Sequence, residues 1–204
     1  MIQSAIDYAK ICNAVVTGVH TTMLKGEQVA CGVTAPRGNN DPTDGDGKRP
    51  SVSPLVFLKA AKKAGMRRFD AYAHHPYYGD PSESPSKKPT STGAGGAAPT
   101  AITLANIGVL IREVTRLYGN KRIWITEYGY QTNPPDTIFG VTLANQARYL
   151  TQAFGIVKRN PRIDMMLWFL LRDEGSLGGW QSGLMTIDGR KKPAYFAFKK
   201  LRAR

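Results

Sequence analysis

An apolar run at 123–128, Ile-Trp-Ile-Thr-Glu-Tyr, carries a glutamate near its end, where a carboxylate is expensive to bury unless it has partners or a task. Upstream, Ala73-His74-His75-Pro76-Tyr77-Tyr78 closes a second apolar segment, and downstream Met166-Leu167-Trp168-Phe169 closes a third. A carboxylate, two imidazoles, a phenol and an indole are the groups that cleavage of a sugar linkage requires. The carboxylate attacks or moves a proton, the imidazole or phenol holds it ionised, and the indole offers its face to a ring. Strand alternation puts Glu127 on the face of Ile123 and Ile125, and His75 on the face of Tyr77, so the polar ends converge above a barrel-like core. Trp180 is read as an outer sugar platform. The plainer alternatives are a rim carboxylate for Glu127, loop packing for His75 and Tyr77, and ordinary apolar packing for Trp168 and Trp180. Tyr128 and Tyr130 are read as packing.

The elements that must position these groups follow one repeated plan: a short β-rich run, a polar loop, then an amphipathic helix. Strands are expected at 28–34, 68–73, 123–128 and 164–170, and helices at 3–17, 54–64, 101–118, 143–160 and 193–201. Positions 107, 110, 111, 114 and 117 form one apolar helix face that Gly119 stops. None of the strands alternates cleanly, as expected for a parallel sheet covered by helices. Loops after strands are long and polar (37–53 and 78–100), whereas returns from helix to strand take only a few residues. In parallel α/β folds the long loops at the carboxyl ends of strands build the ligand site. The Gly/Ala-rich stretch 91–98 and Glu83 are placed in a flexible part of the second long loop.

A chain of 204 residues with 42% hydrophobic and 21% charged residues fits one globular domain and excludes a disordered or collagen-like polymer. No apolar run reaches the ~18 residues of a membrane span, so no membrane partner is expected. The net charge of +13 raises a polyanion-binding module as an alternative. Much of that charge, at Lys62, Lys63, Arg67, Arg68, Lys121, Arg122, Lys158, Arg159 and Arg162, falls at helix C-termini and in the short returns. There it complements helix dipoles on the side away from the expected site, and no nucleic-acid partner is expected. Cys12 and Cys31 are read as buried small hydrophobes. No metal or other cofactor is expected: the run Asp41, Asp44, Asp46 lacks the glutamate a calcium loop needs, having Leu55 there instead.

In order and spacing, His74-His75-Pro76-Tyr77, Trp124-Ile125-Thr126-Glu127-Tyr128-Gly129, Leu167-Trp168-Phe169 with Arg172-Asp173-Glu174, and Gly179-Trp180-Gln181-Ser182-Gly183-Leu184 resemble the last four βα units of retaining glycoside hydrolases of clan A. The likeness is to family 39-like and family 5-like (β/α)8 barrels, and it runs on to Lys192-Pro193-Ala194-Tyr195. The resemblance implies the C-terminal half of a TIM barrel, four parallel βα units preceded by one helix; the alternative is an open parallel α/β sheet. It implies a glycosidase acting on a carbohydrate substrate by double displacement, with Glu127 as nucleophile. His75 and Tyr77 would position the nucleophile and the sugar hydroxyls, Trp168 would form the floor, and His74 would lie among the substrate-binding residues.

The retaining mechanism needs a second carboxyl ~5–5.5 Å from the first. In the resembled family it sits in an Asn-Glu pair, and this chain contains no Asn-Glu dipeptide. Glu27 precedes a strand, while Asp173 and Glu174 follow the fourth strand without a family role. Half a barrel also leaves two strand edges open, which favours self-association through them. The expectation is therefore a fragment of a longer barrel, inactive in isolation. The start of the chain does not read as a signal peptide. Any secretion signal of the full-length protein would lie upstream, so localisation stays open. A glycan-binding remnant without turnover is the other alternative.

Overall fold

The computed structural model describes residues 2–23, 26–40, 51–89, 100–176 and 179–202. The elements run α1 (Gln3–His20), β1 (Ala30–Thr34), α2 (Pro54–Lys63), β2 (Ala71–His74), a 3₁₀ turn (Leu104–Asn106), α3 (Ile107–Tyr118), β3 (Arg122–Tyr128), α4 (Leu143–Arg159), β4 (Ile163–Trp168) and α5 (Pro193–Lys199). The strands form one parallel sheet in the order β1-β2-β3-β4. This is an α/β fold of four parallel strands with helices, the open-sheet form of half a barrel.

Element boundaries shift where local chemistry overrides the pattern. β2 starts at Ala71 rather than 68, and Arg68 adopts a left-handed backbone (φ 64°) ahead of it. The helix expected from 101 begins later, since Thr103 is extended and its backbone N–H donates to Asn106 Oδ1 at 2.7 Å in a capping box. Gly119, with φ 76°, ends α3 as expected. Thr142 caps α4 by accepting from the Asn145 backbone N–H at 3.1 Å.

Burial follows a layered plan. Leu58, Leu110, Val114, Ile123, Ile125 and Tyr72, all fully buried, belong to one core shared by α2, α3, β2 and β3. Met166 and Trp168 of β4 pack against that core, while Leu167 between them is 52% exposed on the opposite face. A second cluster of Leu150, Leu184 and Ala194 seats α5 on α4. Lys62 and Lys63 occupy the last turn of α2, and Lys158 and Arg159 that of α4, as the sequence pattern expects. Among the described residues no helix is long and apolar enough to cross a membrane.

The cysteines correct one expectation. Cys12 on α1 and Cys31 on β1 form a disulfide, with Cα atoms 6.0 Å apart. Their burial was legible, but their pairing depends on how α1 lies across β1, which neither residue's own pattern specifies. Glu83 corrects another. It is only 5% exposed, where its carboxylate accepts from Arg37 Nη2 at 2.8 Å and from the Gly79 backbone N–H at 2.7 Å. The described part of that loop is thus organised around a buried carboxylate paired with a partly exposed arginine rather than loose. Residues 91–98 and the Asp41, Asp44 and Asp46 run lie outside the described residues.

Candidate active site

Parallel pairing brings the carboxyl ends of β2, β3 and β4 side by side, with His74 opposite Ile125 and Tyr128 opposite Trp168. The His75 backbone N–H donates to the Thr34 carbonyl at 3.0 Å, extending the ladder one residue past β2, and Pro76 then turns the chain so that Tyr77 sits above the sheet end. Gly129 permits the close approach of the neighbouring strand end, because a Cβ there would stand 2.6 Å from the Phe169 carbonyl oxygen.

Glu127 is where these ends meet. Tyr77 Oη donates to Glu127 Oε2 at 3.1 Å, and His75 Nδ1 lies 3.4 Å from the same oxygen. The register of β3 against β4 slips between Ile125 and Tyr128, and the Glu127 side chain lies at the rim, 36% exposed. Oε1 accepts no hydrogen bond from the described residues.

The protonation pattern follows from the partners. His75 Nε2 lies 2.8 Å from Thr126 Oγ1. A carboxylate only accepts, so Nδ1 carries the proton facing Glu127, and Nε2 accepts from the Thr126 hydroxyl. Burial pushes the His75 pKa down, only partly offset by the Glu127 charge, which keeps the ring neutral at neutral pH. Burial raises the Tyr77 pKa, and the neighbouring carboxylate raises it further, so the phenol stays a donor.

Aromatic rings flank the carboxylate. Trp180, 41% exposed, stacks on Tyr77 at 5.6 Å and 30°. Phe169 meets both edge-on, 6.4 Å from Tyr77 and 5.6 Å from Trp180. Tyr128 stacks under Tyr77 at 6.3 Å and is fully buried, as is Tyr130. The Trp180 loop is held by its backbone: Trp180 N–H donates to Glu174 Oε2 at 2.8 Å, and Gln181 N–H donates to Gln131 Oε1 at 3.1 Å. Behind it, Lys192 Nζ donates to Asp173 Oδ1 at 2.7 Å, to Thr132 Oγ1 at 2.9 Å and to the Gln181 carbonyl at 3.1 Å.

The structure therefore brings together Glu127, His75, Tyr77 and Trp180. It does not bring in His74 or Trp168. His74 is fully buried on the helical side, where Nε2–H donates to the Ile102 carbonyl at 3.0 Å and Nδ1 accepts from Thr34 Oγ1 at 2.8 Å. Burial lowers its pKa to about 4. Trp168 packs into both core clusters and donates from Nε1 to the Ser182 carbonyl at 2.9 Å. Phe169, one position on and of opposite strand parity, takes the place at the rim that the sequence pattern gave to Trp168. Thr126 was also missed, although its neighbour relation to Glu127 marks it. The other carboxylates named from sequence are committed elsewhere: Asp173 to Lys192, Glu174 to the Trp180 backbone and Glu83 to Arg37. Glu27 is exposed ahead of β1. Among the described residues no cluster of three or more His, Cys, Asp or Glu side chains could hold a metal.

Residues 102–197, the segment containing Glu127, match the family model described as glycosyl hydrolase catalytic core. Comparison with curated protein sequences finds no match. Among solved structures, a family 39 glycoside hydrolase from the gut symbiont Bacteroides cellulosilyticus WH2 is 21% identical with a TM-score of 0.54, over 69% of this chain and 28% of its own. Two family 128 endo-β-1,3-glucanases, from Sorangium cellulosum and Amycolatopsis mediterranei, are each 19% identical with a TM-score of 0.49. They are matched over 74% and 93% of this chain, and over 49% and 64% of theirs. The chain thus spans less than two thirds of the length of each of these proteins. The first likeness is one of fold, and with the family match it leads to one conclusion: this chain is similar to glycoside hydrolase catalytic cores over residues 102–197, the segment that holds Glu127 and Phe169.

Proposed function

We propose that the chain carries the nucleophile side of a retaining glycosidase site, with Glu127 attacking the anomeric carbon. The observation that supports this most is the convergence of two donors on one carboxylate oxygen. Tyr77 and His75 both face Oε2 and leave Oε1 without a hydrogen-bond partner among the described residues at the rim of the sheet. Contacts on one oxygen orient the carboxylate, and the other oxygen is placed to attack. Trp180 and Phe169 supply apolar faces for the sugar ring beside it. His74 and Trp168 act through packing in this reading.

Double displacement requires a second carboxyl at ~5–5.5 Å to protonate the leaving group and then activate water. Asp173, Glu174 and Glu83 are held by other partners. We infer that a segment outside this chain supplies the group, in a barrel these strands help to close. The commitment of all three carboxylates also supports the second reading, a glycan-binding remnant without turnover.

The test uses aryl glycosides with a leaving group good enough to need no acid. Replacing Glu127 with Ala should abolish release of the phenol, and azide should restore it while giving a glycosyl azide of inverted anomeric configuration. Equal release by Glu127→Ala and the parent would reject the assignment. Binding of glycosides without any release by the parent would favour the second reading.

A further inference from the structure

Tyr77 has two surfaces, and only its hydroxyl is accounted for by Glu127. Its ring lines a groove of about 660 Å³ enclosed by loops that follow the strands, with Arg37, Gln131, Asp136, Phe139 and Trp180 among the other walls. That volume lies within the ~300–1,000 Å³ of ordinary small-molecule sites.

Several polar atoms in these walls are bonded within the protein. Arg37 donates to Glu83 at 2.8 Å and to the Tyr77 carbonyl at 3.3 Å. Gln131 Oε1 accepts from Gln181. Asp136 Oδ1 accepts from the backbone N–H groups of Ile138 and Phe139, each at 2.9 Å. Tyr78 Oη donates to the Phe139 carbonyl at 2.7 Å. Much of the open surface is apolar: Ile138 is 73% exposed, Phe139 46% and Trp180 41%.

Against the exposed Ile138 and Phe139 side chains a sugar ring would lose water from its hydroxyls without a partner in return. An apolar group gains from each Å² removed from water. Continuity with the carboxylate fixes which part of a ligand lies here, since one tyrosine bounds both spaces. We propose that this groove binds an apolar aglycone, aryl or alkyl, of a glycoside whose sugar lies at Glu127; the sugar half of that statement rests on the glycosidase reading above.

The aglycone alone tests the groove independently of the sugar. 2-Naphthol is titrated into the protein and followed by Trp fluorescence and by amide chemical shifts. Binding should shift the amides of 138–139 and 180. Ile138→Ser, a change at an exposed position, and Phe139→Ala should each weaken it, the latter about tenfold, ~1.4 kcal/mol. Cellotriose and xylotriose should not displace the naphthol. Absence of binding, shifts confined to other residues, unchanged affinity in both variants, or displacement by either oligosaccharide would overturn the proposal. Loss of Glu127 chemistry with intact naphthol binding would instead count against the glycosidase reading alone.

Discussion

Replacing Lys192 with Met tests whether the Trp180 platform is held from behind by a buried charge pair. Lys192 is 3% exposed and Asp173 6%. The ammonium has three partners, Asp173, Thr132 and the Gln181 carbonyl, and the carboxylate also accepts from the Gly183 backbone N–H at 2.8 Å. Methionine matches the lysine stem in volume but leaves the carboxylate buried with its counter-charge removed. Breaking such a pair on one side costs ~3–5 kcal/mol, a large share of the ~5–15 kcal/mol that stabilises a typical domain. Removing both charges, in Lys192→Met with Asp173→Leu, should recover most of that loss, because the penalty belongs to the uncompensated ion rather than to the missing contact. The assay is urea unfolding of the parent, both single variants and the double variant, read by fluorescence and by far-ultraviolet circular dichroism. A cost under about 1 kcal/mol for Lys192→Met, or a double variant no better than the worse single one, would refute the reasoning.

Three further outcomes are expected. His74 has a folded pKa of about 4 against an ordinary 6.5, so the unfolded chain binds the extra proton. Stability from this group is therefore present above pH ~6.5 and lost as pH falls through ~4, by about 3 kcal/mol in all. Urea midpoints across that window should fall, and His74→Gln should flatten the fall relative to the parent. Removing the Cys12–Cys31 disulfide, which closes a loop with a sequence separation of 19, should cost about 3 kcal/mol in the same assay if reduction leaves the fold intact. Thr126→Val should move part of the His75 population from the Nδ1–H to the Nε2–H tautomer, seen in ¹⁵N spectra of the ring, whereas Thr126→Ser should not.

The order of strands and helices was readable because β2, β3 and β4 run out into chemistry-bearing residues, Gly119 stops α3 and Thr142 caps α4. Glu127 stood out because a carboxylate at the end of an apolar run demands an explanation. His74 and His75 were harder to separate. Both are imidazoles at one strand end, and only the sheet's facing decides that the first donates inward to Ile102 while the second turns to Glu127. The same parity problem exchanged Trp168 for Phe169. The disulfide and the Arg37–Glu83 and Lys192–Asp173 pairs join residues far apart in sequence, so no local pattern announced them.

Covalent trapping probes the role of Glu127 most directly. The protein is incubated with 2,4-dinitrophenyl 2-deoxy-2-fluoroglycosides, whose leaving group needs no acid and whose fluorine slows release of the intermediate, and its peptides are mapped by mass spectrometry. The account predicts a single glycosyl adduct on Glu127 that Glu127→Gln does not form. An adduct on another carboxylate, or equal labelling of Glu127→Gln, would contradict it.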